Sequence, residues 1–133
     1  MNWYLYCIKN AFNFSGRGRR KEYWIFLLYN VVIIFSIILI GTSLGSIRYR
    51  DTTFSIAALY VLFILIPHLA AVVRRLHDTG RSGTWWFIRF VPLVGSIWLF
   101  ILLIENSQHG TNKWGKNPKG LGNDSEINQI GRE

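Results

Sequence analysis

The chain has 133 residues, half of them hydrophobic and 16% aromatic, and its formal net charge is +8 at pH 7. Its single cysteine excludes an internal disulfide and a cysteine-rich metal site. The basic residues lie beside long apolar stretches, which favours anionic membrane headgroups over nucleic acid as the reason for the charge. We therefore predict a membrane protein with no metal, no cofactor and no nucleic-acid partner.

The N-terminal residues 3–14, with the sequence WYLYCIKNAFNF, contain several aromatic side chains and one charge, Lys9. This composition is typical of a helix that lies along the headgroups, and we predict such an N-terminal interfacial helix. Packing of the same segment against the membrane helices is an open alternative. Cys7 lies among apolar neighbours and is expected to be an inert filler.

Three apolar stretches follow, at about residues 23–44, 54–73 and 85–104. At ~1.5 Å of rise per residue, about 20 helical residues cover the ~30 Å hydrocarbon core of a bilayer. A chain of this size cannot bury three such helices in a soluble core. The predicted fold is therefore all-α, an integral membrane bundle of three transmembrane helices. The first stretch is longer than the apolar part of a cleaved signal peptide, so we expect it to remain as a span.

The third stretch contains Pro92 and Gly95 in its middle. A break at these residues would make the segment re-entrant, so a full span and a re-entrant segment are both considered. A full span leaves the larger group of basic residues on the N-terminal side. The positive-inside rule then predicts a cytoplasmic N-terminus and a periplasmic or extracellular C-terminus. A re-entrant segment would return the tail to the cytoplasm.

After the third stretch the chain is polar and rich in Gly, Asn and Lys. We predict one membrane domain over residues 1–120 and a disordered tail over residues 121–133. Trp114 is expected to anchor the nearer part of the tail to the membrane interface.

Two basic motifs, GRGRRKEYW at residues 16–24 and RRLHDTGRSG at residues 74–83, are separated by two spans and so reach the same membrane surface. Arg74 and Asp78 have the i,i+4 spacing of a helix-surface ion pair, and Glu22 is a natural partner for a loop arginine. The predicted residues for headgroup or partner binding are Arg17, Arg19, Arg20, Arg74, Arg75, His77 and Arg81, supported by Glu22, Asp78, Trp24, Trp85, Trp86, Arg89 and His68.

His68 and Arg89 are both expected about one helical turn below this surface. Arg89 can extend outward to the headgroups, whereas His68 is expected to hydrogen-bond a backbone carbonyl or a polar neighbour.

Several functions are compatible with these motifs. The charges can be orientation anchors that form a stabilising ion-pair network, or they can bind anionic phospholipid or a protein partner. A small oligomeric transporter or channel is an alternative from another class, although the stretches contain few polar residues. A lipid-modifying enzyme with His77 oriented by Asp78 is a further alternative. We predict a non-enzymatic protein, with a homo-oligomer or a membrane-protein partner as further options.

Two of these motifs, GRGRRKEYWIF near the N-terminus and RRLHDTGRSGTWW after the second stretch, resemble the signatures of domain-of-unknown-function family 805. Residues 112–118, NKWGKNP, are similar to the Asn-x-Tyr-Gly-x-x-Pro ending of that family, with Trp114 where tyrosine is usual. The resemblance covers about residues 2–120. It implies a small protein of the bacterial cytoplasmic membrane, and it implies no activity.

Overall fold

The computed structural model describes residues 2–43 and 47–123. These residues form α-helices, one 3₁₀ helix and loops, which confirms the all-α prediction for the described part of the chain. The elements in chain order are α1 (Trp3–Lys9), α2 (Arg20–Ser43), α3 (Ile47–Asp78), the 3₁₀ helix Gly83–Phe90 and α4 (Gly95–Ile104).

Two helices, α2 and α3, are long and apolar enough to cross a membrane. They pack against each other, and most of their apolar side chains remain exposed on the outside of the pair. The first predicted stretch matches α2 up to Ser43, and its last residue, Leu44, lies outside the described residues. The second is longer than predicted, because residues 47–53 are helical and α3 continues through Pro67. No glycine or proline precedes Pro67 in that helix, so nothing in its first part interrupts the hydrogen-bond ladder.

The N-terminal helix α1 is only seven residues long and packs against α2 and α3. Asn2 caps it by accepting hydrogen bonds from the backbone of Tyr4 and Leu5. The ring of Tyr4 stacks on Phe26 with 5.5 Å between centroids, and Cys7 is fully buried. An interfacial helix over residues 3–14 is therefore not confirmed, and the geometry corresponds to the packing alternative.

The third predicted span, residues 85–104, is not one helix. The 3₁₀ helix Gly83–Phe90 ends at a break over residues 91–94, and α4 then runs back beside it. Pro92 lacks an amide hydrogen, and Leu93 has a φ of 65°, which ends helical geometry at this point. We call residues 83–104 the re-entrant hairpin.

Both ends of the re-entrant hairpin lie at the C-terminal end of α3. A Cβ on Gly83 would be 2.8 Å from a side-chain carbon of Val73, and the carbonyl of Leu103 accepts a hydrogen bond from Arg75 (3.1 Å). Each arm is short: eight 3₁₀ residues and ten α-helical residues cover ~16 Å and ~15 Å. Each arm is therefore long enough to cross about half of a ~30 Å hydrocarbon core.

The polar segment 105–123 lies at the same end of the molecule as the first basic motif. The backbone N–H of Gln108 donates to the backbone carbonyl of Asp78 (2.8 Å), and the Trp114 ring stacks on the His77 ring with 4.5 Å between centroids. The full-span alternative, which places the tail and the N-terminal motif on opposite faces, is not confirmed, and the return of the third segment corresponds to the re-entrant alternative. Trp114 contacts the protein, whereas the sequence predicted a membrane anchor.

The described part of the tail ends at residue 123, three residues past the predicted boundary at residue 120. Asn123 is buried. Its side chain accepts a hydrogen bond from the backbone N–H of Asn117 (2.8 Å) and donates one to the backbone carbonyl of Asn117 (3.2 Å). The remainder of the predicted disordered tail, residues 124–133, lies outside the described residues.

Candidate functional site

Arg17 connects the N-terminal loop to the end of α3 and to the tail. Its Nε donates to Asp78 Oδ1 at 3.0 Å, and the side chain is 1% exposed. The two terminal nitrogens donate to backbone carbonyls of the tail, including Gln108 (2.5 Å) and Gly110 (2.6 Å). A planar guanidinium group with five donors suits this arrangement, since one side chain joins its own loop to two other segments.

Arg74 forms a buried ion pair with Glu22, the first acidic residue of α2. Two guanidinium nitrogens, Nε and Nη2, donate to Glu22 Oε1 at 3.0 and 2.8 Å. Nη1 donates to the carbonyls of Asn10 (3.0 Å) and Asn13 (2.5 Å) in the loop after α1. The predicted pairing of Glu22 with an arginine of the second motif is present. The predicted Arg74–Asp78 pair is not, because the Arg74 side chain points towards α2.

Arg75 takes the place of Arg74 as the helix partner of Asp78. Its Nη1 donates to Asp78 Oδ2 at 2.5 Å, and both side chains are fully buried. The other nitrogens donate to the carbonyls of Leu103 and Glu105, where α4 ends. The last carbonyls of a helix have no partner within the helix, so a guanidinium group at this position both caps α4 and holds it against α3.

These interactions define a buried arginine cluster, which consists of Arg17, Arg74 and Arg75 with the carboxylates of Glu22 and Asp78. Nearly all of its donors are directed at carboxylates and backbone carbonyls of the chain itself. Both carboxylate oxygens of Asp78 accept hydrogen bonds, because Oδ1 accepts from Arg17 and Oδ2 accepts from Arg75 and from Ser107 (2.5 Å). The cluster therefore joins α1, α2, α3, the re-entrant hairpin and the tail at one point.

The remaining candidate arginines lie further out. Arg19 donates to the Pro118 carbonyl and is exposed, and Arg20 donates to the Glu105 carbonyl at 3.0 Å. Arg81 pairs with Glu105, and this pair is partly exposed. Among the described residues, the acidic side chains at this end are Glu22, Asp78 and Glu105, and each is paired with an arginine. Several exposed cations at this end have no carboxylate partner among residues 2–43 and 47–123: Lys9, Arg19, Lys21, Lys113, Lys116 and Lys119.

His77 makes one hydrogen-bond contact at the edge of its ring and one stacking contact on its face. Nδ1 lies 3.2 Å from the Gly16 carbonyl oxygen, and the ring plane is 12° from that of Trp114. The Asp78 carboxylate is directed at Arg17, Arg75 and Ser107, so the His77–Asp78 arrangement of the enzyme alternative is not formed.

His68 and Arg89 line one cavity in the apolar part of the molecule. The His68 ring lies 5.9 Å from that of Tyr23, and the predicted hydrogen bond to a carbonyl or polar neighbour is not seen in the described part of the chain. The Arg89 guanidinium lies 5.4 Å from the centre of the Trp86 ring.

Among the other predicted supporting residues, Trp24 contacts Phe100 edge to face, and Trp85 is exposed at 41%.

Sequence reasoning missed most of the acceptors in this site. They are backbone carbonyls of residues 103–115, and a carbonyl has no signature in the sequence. Ser107 and Asn112 are side chains that contribute, and Asn112 donates to the His77 carbonyl at 3.0 Å. Their positions in a polar segment gave no indication of contact with α3.

The model of the family described as "Protein of unknown function (DUF805)" matches residues 11–116 of the chain. The chain is 42% identical over 120 residues to the inner membrane protein YhaI of Escherichia coli. The aligned region covers 90% of this chain and 97% of YhaI. It is 39% identical over 122 residues to the inner membrane protein YhaH of the same organism, covering 90% and 98%. The E. coli uncharacterized protein YiiR is 36% identical over 83 residues, covering 60% and 51%. No solved structure matches the chain.

Proposed function

The chain belongs to the DUF805 family, and on that premise we propose that it is a multi-pass, non-enzymatic protein of the bacterial inner membrane whose exposed cations bind anionic phospholipid. The observation that carries the proposal is the charge left over after the buried arginine cluster is formed. Every described acidic side chain at this end is paired with an arginine, whereas the exposed lysines have no carboxylate partner among the described residues; Lys113 lies over the ring of Trp114 at 4.1 Å.

The same distribution supports an orientation for the chain. The basic residues of segments 9–21, 74–81 and 113–119 lie at the end that carries the buried arginine cluster. Near the start of α3, the basic residues Arg48 and Arg50 are close in sequence to Asp51. The positive-inside rule assigns the more basic end to the cytoplasm, so we propose that the N-terminus and the tail up to residue 123 are both cytoplasmic.

The cationic surface faces the leaflet that carries anionic lipid under this orientation. Each Lys or Arg near such a surface contributes about 1 kcal/mol of attraction. Four exposed lysines, Lys21, Lys113, Lys116 and Lys119, therefore give a preference for anionic over zwitterionic lipid of about 4 kcal/mol. The buried arginines contribute to this surface by holding the tail in place and do not contact lipid themselves.

The experiment is native mass spectrometry of the protein released from membranes that contain phosphatidylglycerol and phosphatidylethanolamine. The wild-type protein is expected to retain phosphatidylglycerol preferentially. Replacement of the four lysines by glutamine is expected to remove that preference, because the attraction depends on charge.

The matched control replaces the same four lysines by arginine, which keeps the charge and is expected to keep the bound lipid. Equal retention of phosphatidylglycerol by the glutamine variant would overturn the proposal. Recovery of a bound polypeptide and no anionic lipid would also overturn it, in favour of a protein partner at this surface.

A further inference from the structure

A second polar feature lies in a cavity of about 210 Å³ between α2, α3 and the re-entrant hairpin. Its polar lining includes Tyr23, His68, Arg89 and Ser96, and most of the remaining lining is aliphatic or aromatic. His68 precedes Arg74 by six residues, which corresponds to ~9 Å of helix. With the buried arginine cluster at the headgroup level, the cavity lies within the upper part of the apolar layer.

These four side chains have no hydrogen-bond partner within the described residues 2–43 and 47–123. Tyr23 and His68 contact each other through their rings, and Arg89 contacts the face of Trp86. Arg89 also has no carboxylate partner there, unlike the arginines of the buried cluster. Polar groups at membrane depth are costly, and they are usually paired with each other or used to bind a ligand.

The chemistry of the four groups favours an anion with oxygen atoms. The guanidinium of Arg89 donates in a fork that matches a carboxylate or phosphate, and the two hydroxyls and the imidazole can each donate a further hydrogen bond. In the apolar remainder of the lining, Val72 and Leu99 are buried and Phe100 is exposed at the outside of the helices, on the same open side as the exposed Arg89 and Ser96. Such a wall suits a hydrocarbon chain attached to the anion.

We propose that this cavity binds an oxyanionic head group carried on an acyl chain, with Arg89 as its charge partner. The ligand enters from the bilayer between α2 and the re-entrant hairpin. This site is separate from the exposed lysines, so its test does not depend on the surface proposed above. The same chemistry is offered by the carboxylate of a free fatty acid and by the phosphodiester of a phospholipid.

The test uses the full chain in a neutral detergent with dibromostearate as the probe. Bromine atoms quench nearby tryptophan fluorescence, and Trp86 lines the cavity. The wild-type protein is expected to bind dibromostearate at least tenfold more tightly than the corresponding neutral dibromo alcohol. Arg89→Gln is expected to weaken dibromostearate binding tenfold or more, and Ser96→Ala a few-fold.

Arg81→Gln is the matched control, because Arg81 is a partly exposed arginine that pairs with Glu105 outside the cavity. It is expected to bind the probe like the wild-type protein. Phosphatidylglycerol that displaces the probe would identify a phospholipid as the ligand, and failure to displace it would identify a free carboxylate. Equal affinity of the wild-type protein for the acid and the alcohol would overturn the proposal, as would unchanged binding by Arg89→Gln.

Discussion

Arg74 lies at the end of a membrane helix, where the positive-inside rule alone would explain a basic residue, yet its side chain is 2% exposed and pairs with Glu22. Arg17 and Arg75 are buried in the same way around Asp78. Taking such charges out of water is costly, and the arrangement is tolerated because each guanidinium finds both a carboxylate and backbone carbonyls. These residues therefore determine how segments of the chain meet.

Asp78 accepts hydrogen bonds from two arginines, Arg17 and Arg75, and from Ser107. Asp78→Asn removes the charge that compensates buried Arg17 and Arg75, so we expect a loss of about 3–5 kcal/mol in the free energy of unfolding. Denaturant titration in detergent micelles measures this change. Asp51→Asn, at an exposed position near the opposite end, is the control and is expected to change the free energy by less than about 0.5 kcal/mol. An Asp78→Asn variant as stable as the control would contradict the role given to the cluster.

A second residue-level prediction concerns the reactivity of Cys7. Burial, followed by the nearby Glu22 carboxylate, raises the pKa of the Cys7 thiol to about 12. The reactive thiolate is therefore almost absent between pH 7 and pH 9, and we expect very slow labelling by maleimide in the folded protein. The comparison is a Cys7→Ala variant with an exposed cysteine in place of Lys9. Similar labelling rates at the two positions would show that α1 does not pack as described.

At the scale of elements, the re-entrant hairpin is held closed by its tip. The broken backbone there makes its own hydrogen bonds, from the Val91 amide to Ile88 (2.9 Å) and from the Gly95 amide to Val91 (3.0 Å). A Cβ on Gly95 would overlap the carbonyl oxygen of Ile88. The two arms approach this closely only because residue 95 is glycine.

Gly95→Ala is accordingly expected to open the tip and to lower the melting temperature of the detergent-solubilised protein by several degrees. The expected cost is about 1–3 kcal/mol, in the range for overpacking a tight contact. Ile97→Ala, at an exposed position on the same helix, is the control and is expected to leave the melting temperature nearly unchanged. A Gly95→Ala protein as stable as this control would mean that the arms do not meet at residue 95.

The helices α2 and α3 could be predicted from the sequence because long apolar runs have few alternatives in lipid. The third stretch has a similar apolar content, so hydropathy alone predicts another span. The difference lies in Pro92, Leu93 and Gly95, whose local geometry breaks the helix. The sequence reveals the proline and glycine, but it does not reveal that Arg75 donates to the Leu103 carbonyl at the end of the second arm.

At the scale of the whole molecule, the tail completes the polar end of the protein. Three segments meet there, and the buried arginine cluster connects them: residues 10–19, 74–81 and 105–123. The pairing of Glu22 with an arginine could be predicted from the sequence, because few other acids are near. The contacts of the tail could not, because its acceptors are mainly backbone carbonyls.

Trp114 provides a test of this tail contact. Trp114→Ala removes the stack on His77, and we expect faster tryptic cleavage after Lys113 and Lys116 in the folded protein. The control is Trp85→Ala, which removes an exposed tryptophan from the re-entrant hairpin and is expected to leave these cleavage rates unchanged. Equal cleavage rates in the two variants would argue against a tail held by the stack.

The N-terminal segment and the tail up to residue 123 are proposed to lie at one membrane face, with the start of α3 at the other. The most direct measurement is the labelling of single cysteines in spheroplasts by a membrane-impermeant maleimide, in a Cys7→Ala background. With cysteine in place of exposed Lys9 or Lys116, we predict labelling only after the membrane is permeabilised, and with cysteine in place of exposed Thr52, labelling in intact spheroplasts. Labelling at position 116 in intact spheroplasts, without labelling at position 9, would contradict the account and restore a third span.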